Sequence, residues 1–256
     1  MNFFGKSDIG TRDNNEDCFG IYEIGDNACL FAVCDGMGGE SSGEIASRLA
    51  LESFSETVLS ICKLHLKENK LSLTLREAEL ILANAAEHAN GVLLDYQDAH
   101  PESAGMGTTL VAAIVCDGTS IAWLNLCDIR LYTLDQKDIL QVSKDHSYIQ
   151  YMIDTGELTA EEAKTSPVRN LITRAVGIEK EVSPDVDLFE LSEEEKTETT
   201  LLLCSDGLSG ALAEEECMAI ANRRDLTPKA KVDLMIERAK QCGSTDNITL
   251  ILVELW

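Results

Sequence analysis

Three short apolar runs, each meeting an aspartate at one end, constrain this chain more than any other feature. The first is Leu30-Phe31-Ala32-Val33-Cys34, followed by Asp35-Gly36-Met37-Gly38-Gly39. The second is Leu201-Leu202-Leu203-Cys204, followed by Ser205-Asp206-Gly207, and the third runs from Ile248 to Val253 after Asp246-Asn247. Runs of this length bounded by turn residues read as buried strands. A carboxylate at the mouth of a buried strand is costly unless a positive group meets it. No Lys or Arg stands close to these acids in sequence, so the pattern points to metal as the positive charge.

The overall charge narrows the partners. Of 256 residues, 45 are acidic and 21 basic, a net charge of −24. Nucleic acid and anionic membranes both need a basic face, so the balance argues against either. The nine cysteines are an odd number, most within apolar segments and none in a C-x-x-C pair. They read as free thiols in a reducing compartment, not as a disulfide framework or zinc ribbon. The four histidines show no metal-ligand spacing. No signal peptide is visible, and no apolar stretch approaches the roughly 18 residues of a membrane span. The expectation is a cytoplasmic protein.

The element pattern is strands, two helices, more strands, two helices and a last strand. Strands are expected at 17–24, 28–35, 108–116, 119–126, 129–134, 138–143, 185–190, 199–205 and 247–255. One helix starts near Ser41, where Ser41 and Glu44 match a capping box, and a second covers about 74–95. Asp117-Gly118 suits a tight hairpin turn. A helix follows Leu212, and another is capped by Thr227 with Pro228 at its first position and stops at Gly243. Residues 147–183, with Pro167, read as a surface insertion or flap. Hairpin connections imply antiparallel sheets, and grouped helices imply outer layers. With no repeat or linker, residues 1–256 are expected to form a single α+β domain.

The chemistry follows from the acids. Bare backbone at Gly36, Gly38 and Gly39 allows an ion to approach a carbonyl oxygen. Oxygen-only ligands select Mg²⁺ or Mn²⁺ over zinc. Two ions sharing a carboxylate would lie about 3.5–4 Å apart, and a water bridging them becomes a nucleophile near neutral pH. That equipment hydrolyses phosphoesters. Such a reaction needs a fork of donors for phosphate oxygens, and Arg12 is the candidate. Glu16 and Asp17 beside it could hold metal-bound waters, although an acidic surface loop with an incidental salt bridge would read the same way.

Taken together, the motifs resemble the metal-dependent type 2C (PPM) Ser/Thr protein phosphatases in their compact bacterial form. The ordered set is Arg12-x-x-Asn15-Glu16-Asp17, Asp35-Gly36-Met37-Gly38-Gly39, Gly105-Met106-Gly107-Thr108-Thr109, Asp145-His146-Ser147, the segment from Arg169 to Gly177, Ser205-Asp206-Gly207 and Asp246-Asn247. The resemblance spans about Gly5 to Leu255. It implies a four-layer α-β-β-α sandwich, two central antiparallel sheets flanked by helix pairs, with metals at one edge. Asp35 would bridge two ions, with the Gly36 carbonyl on one and Asp206 and Asp246 on the other. Arg12 would bind substrate phosphate, and the flap would border the cleft.

Departures from the family pattern are visible. The arginine loop is one residue shorter than usual. Met37 stands where some relatives carry a His proposed as general acid, and Ser166 stands at a frequent His. The family's Gly-Asp-Ser-Arg appears as Cys127-Asp128-Ile129-Arg130, so Asp128 is retained as a ligand for a third metal. Gly210 replaces a further acid, and a third ion would be weakly held or absent. The implied partners are phosphorylated proteins, in opposition to a Ser/Thr kinase, with the enzyme a monomer. A catalytically silent regulatory relative and a small-molecule phosphoesterase are the alternatives.

Overall fold

The computed structural model describes residues 1–38, 42–163, 166, 168 and 171–256. Strands β1 (Asn2–Asp8), β2 (Asp17–Ile24) and β3 (Ala28–Met37) lead into helices α1 (Ser42–His65) and α2 (Leu75–Ala99). Next come β4 (Gly107–Thr108), β5 (Leu110–Cys116), β6 (Ser120–Leu126), β7 (Arg130–Leu134) and β8 (Ile139–Gln141). Short helices α3 (Tyr148–Asp154) and α4 (Ala160–Ala163) precede β9 (Asp185–Glu190), α5 (Glu193–Lys196) and β10 (Thr200–Cys204). The chain ends through α6 (Asp206–Ser209), α7 (Glu214–Ala221), α8 (Pro228–Gln241) and β11 (Ile248–Glu254).

The strands form two antiparallel sheets, ordered β1-β11-β10-β7-β8 and β2-β3-β5-β6-β9, with β4 alongside β3. Strand alternation sorts each apolar run between two cores. On β3, Leu30, Ala32 and Cys34 pack toward α1 and α2 with Phe54, Val58, Ile81 and Leu82. Phe31 and Val33 face the other way, meeting Leu201, Leu203, Ile251 and Val253 between the sheets. On the far side Leu202, Leu250 and Leu252 pack against Val232, Met235 and Ile236 of α8. Continuous apolar runs are therefore required, because β3, β10 and β11 are covered on both faces. The expected α-β-β-α layering is what the chain adopts.

Several local expectations need correction. The first strand, β1, was not foreseen: Asn2–Asp8 is half-buried and lacks a continuous apolar run. The expected strand at 108–116 breaks at Thr109, whose hydroxyl and N–H are spent on Asp35. The strand at 138–143 shortens to Ile139–Gln141, and that at 28–35 extends to Met37. The helix at 74–95 continues to Ala99, and Thr74 supplies its capping box. The Asp117-Gly118 turn has both residues at positive φ, 52° and 72°, as a tight hairpin requires. The Ser41 capping box, Gly39, Pro167, Arg169 and Asn170 lie outside the described residues.

Candidate active site

Pairing register brings the acids to one end of the sandwich. Asp17 and Asp35 are opposite one another on β2 and β3. Cys204, last on β10, pairs with Leu250 of β11 and Arg130 of β7, so Asp206, Asp246 and Asp128 lie just beyond that same end. Asp35 is the common centre: its carboxyl is within hydrogen-bonding reach of both Asp17 and Asp206. Its backbone is pinned independently of its side chain. The Asp35 N–H donates to Thr109 Oγ1 at 2.8 Å, while Thr108 Oγ1 and Thr109 N–H donate to its carbonyl at 2.8 and 2.9 Å.

Burial and mutual repulsion drive Asp17, Asp35, Asp128 and Asp206 away from their ordinary acidity. Desolvation is the largest cause holding Asp35 well above the usual carboxylate range, followed by the charges of Asp17, Asp206, Asp246 and Asp128. Asp206 is raised by desolvation and then by Asp128, Asp246 and Asp17. Asp206 is exposed to solvent, yet the groups packed around it, Gly207 against Asn247 among them, leave desolvation the largest cause. Asp17 is raised by burial despite the hydrogen bond from Ser205. Asp128 and Glu16 are raised as well, both chiefly by burial.

Two glycines let the backbone close around these acids. A Cβ on Gly36 would stand 2.0 Å from the Gly43 carbonyl oxygen, and one on Gly207 would stand 1.9 Å from that of Asn247. Only glycine permits such an approach.

Arg12 is exposed, lies at the rim of the group and makes a salt bridge there, the contact that the sequence left open for this loop. Its Nη2 donates to Asp246 Oδ2 at 2.8 Å and its Nε to the Thr245 carbonyl at 3.2 Å. Asp246 therefore has a cation from the far end of the sequence. The Gly36 N–H donates to the Glu16 carbonyl at 3.0 Å, joining the arginine segment to the β3 turn. Asp128 accepts from the Cys127 thiol at 3.1 Å. Cys127 adopts φ 93°, a left-handed conformation that costs a non-glycine residue about 1–3 kcal/mol. This accounts physically for the glycine at that point of the family pattern.

Three further residues, Ser205, Asn247 and Arg130, were quoted in motifs but given no role, while His146 reads from the sequence as a structural histidine rather than a proton carrier. Ser205 Oγ donates to Asp17 Oδ2 at 2.8 Å and accepts from Thr249 N–H at 3.0 Å. Asn247 Oδ1 accepts from Glu16 N–H, and its Nδ2 donates to the carbonyls of Ile9 and Asn14. Arg130 holds Asp145 through Nε and Nη2, the latter at 2.7 Å. His146 Nδ1 accepts from Cys127 N–H, while Nε2 lies 3.0 Å from Asp185. Adjacency to Asp206 and Asp246 was the available signal for Ser205 and Asn247.

The donor set suits hard divalent cations. It is all oxygen, and Asp17 Oδ1 is a buried carboxylate oxygen without a hydrogen-bond partner. Among the described residues no three His, Cys, Asp or Glu side chains close on one ligating point. Asp246 is engaged by Arg12, and the acids share one end of the sandwich without forming a finished cage.

A family model described as Protein phosphatase 2C matches residues 4–249. The chain belongs to that family. This phosphatase 2C-family chain is 37% identical over 244 residues to the serine/threonine phosphatase stp of Listeria monocytogenes serotype 4b, covering 95% of this chain and 91% of the relative. The crystal structure of a bacterial serine phosphatase superposes with a TM-score of 0.87 at 34% identity, covering 100% of this chain and 98% of the other. The catalytic domain of the serine/threonine protein phosphatase PstP, solved with two manganese ions, superposes at 0.79 with 29% identity, covering 98% and 96%.

Proposed function

We propose that this chain hydrolyses phosphoserine and phosphothreonine in proteins, using two divalent cations, manganese or magnesium. The observation that carries the reading is the gathering of Asp17, Asp35, Asp206 and Asp246 from four separate segments, with one buried carboxylate oxygen unsatisfied. Family membership and the manganese-bound PstP structure support it. Asp35, the Gly36 carbonyl, Asp206 and Asp246 would hold the two ions. Glu16 and Asp17 would position water, and Asp128 would bear on a weak third ion. When bound, the cations supply the missing positive charge and acidify water near neutral pH.

The protein's own groups do the rest. Arg12 leaves Asp246 and presents its guanidinium fork to the phosphate oxygens, orienting phosphorus for in-line attack. Met37 has no proton to give, so no side chain at that position protonates the leaving oxygen. The chain is one catalytic unit, with residues 147–183 as a flap beside the cleft. It works as a cytoplasmic monomer opposing a Ser/Thr kinase, on protein substrates and not on nucleic acid or membranes. Among the described residues, no helix is long and apolar enough to cross a membrane.

The test is turnover of phosphopeptides with Mn²⁺ in the wild type and in Asp206→Asn. Chelation should abolish turnover, and the variant should lose more than about 100-fold, beyond what disturbing a ligand's supporting groups costs. Activity surviving either treatment refutes the proposal.

A further inference from the structure

The β2–β3 ladder carries a second residue pair beside its two aspartates. Cys18 and Cys34 are register partners one step from Asp17 and Asp35. Both lie on the helix-facing side of the sheet, Cys34 in the core and Cys18 half-buried against it. The two thiols are within hydrogen-bonding reach of each other. The Gly36 N–H donates to Glu16 O, which marks 16 and 36 as a hydrogen-bonded pair. Such pairs alternate along an antiparallel ladder, so 18 and 34 form the next one, with Cα atoms about 5.5 Å apart. That separation lies within the disulfide range of about 4.4–6.8 Å.

We infer that Cys18 and Cys34 form a reversible disulfide that acts on the neighbouring carboxylates, with a peroxide as the oxidant. Its effect on catalysis rests on the proposed phosphatase reading; formation of the bond does not. The Cys18 sulfur, having lost its proton, attacks a peroxide oxygen; the O–O bond breaks and water leaves, giving a sulfenic acid. The Cys34 sulfur then attacks the Cys18 sulfur, the S–O bond breaks and a second water leaves with the Cys34 proton. Two thiols lose two electrons in total, and one peroxide becomes two waters.

Opposed Cβ atoms at such a pair lie about 4.5–5.5 Å apart, wider than the roughly 3.8 Å a disulfide prefers. Closing the bond therefore twists the two strands together. Asp17 and Asp35 stand one residue along on those strands, on the opposite face, and must move with them. A bond closed under such strain is readily reduced, as a reversible device requires. Cys62 and Cys116 are also electrostatic neighbours, but both are buried, leaving peroxide no thiol to reach first.

The experiment exposes the full chain to hydrogen peroxide, followed by intact mass, peptide mapping without reductant, Mn²⁺ binding and turnover. The expected result is loss of two hydrogens, a linked Cys18–Cys34 peptide, and Mn²⁺ affinity lowered by about 10-fold or more, the size of effect seen when supports of metal ligands are disturbed. Dithiothreitol should restore it, and Cys18→Ser should bind Mn²⁺ normally before and after peroxide. No linked peptide, or a linked peptide with unchanged Mn²⁺ binding, overturns the inference. A reduced wild type that binds Mn²⁺ but turns over no phosphopeptide would instead count against the phosphatase reading, with mass and metal binding still deciding the bond.

Discussion

Asp35 carries an electrostatic cost set by burial and by the acids around it. It is surrounded by other acids, and its backbone is tied by three hydrogen bonds that hold it in place whatever its charge. His146 is the complementary case. Burial lowers its pKa below the ordinary imidazole value, and its neutral ring accepts the Cys127 N–H. The unfolded chain takes up a proton near pH 6.5, whereas the folded chain does so only at lower pH. Between those values the unfolded state holds more protons, so stability rises with pH and falls on acidification. Wild type should thus lose more stability between pH 7.5 and 5.5 than His146→Gln, which has no titrating ring. Thermal melts of both at the two pH values check this, and equal losses would count against it.

Strands β3, β10 and β11 were legible because each is covered on both faces and so carries an unbroken apolar run. Strand β1 was not: its partner β11 lies at the other end of the chain, and its half-buried edge needs no such run. Of the site, Asp35, Asp206 and Asp246 were legible as acids closing apolar runs, but their supports depend on contacts between distant segments. Asn247 is the clearest example. It ties Ile9, Asn14 and Glu16, fixing the whole loop between β1 and β2 that carries Arg12. Asn247→Ala leaves part-buried polar groups of Ile9, Asn14 and Glu16 unmatched, which costs about 1 kcal/mol. Urea unfolding should show that loss, and phosphopeptide turnover should fall as the loop loosens. Unchanged stability would mean that the loop holds itself.

Across the molecule, three cores in four layers leave little room for charge, and one buried ion pair stands out. Lys231 on α8 is 1% exposed and meets Glu254 of β11, 8% exposed, at 2.7 Å, with the Ala221 carbonyl as a second acceptor. Removing one partner strands the other, which typically costs about 3–5 kcal/mol. Lys231→Ala should therefore fall in that range by chemical unfolding. The double change Lys231→Met with Glu254→Leu should recover most of it, since no charge remains buried. A double variant as unstable as the single one would show that the pair contributes more than mutual neutralisation. The net charge of −24 sets the same theme for the surface, and Asp17, Asp35, Asp206 and Asp246 bring acids from several segments to one end of the sandwich.

The most direct test of that arrangement is a count of bound Mn²⁺ by electron paramagnetic resonance, in wild type and in Asp35→Asn. Two ions per chain are expected in wild type, with at least one lost in the variant while its thermal unfolding remains cooperative. No manganese bound by the wild type, or the same number held by both proteins, would contradict the account.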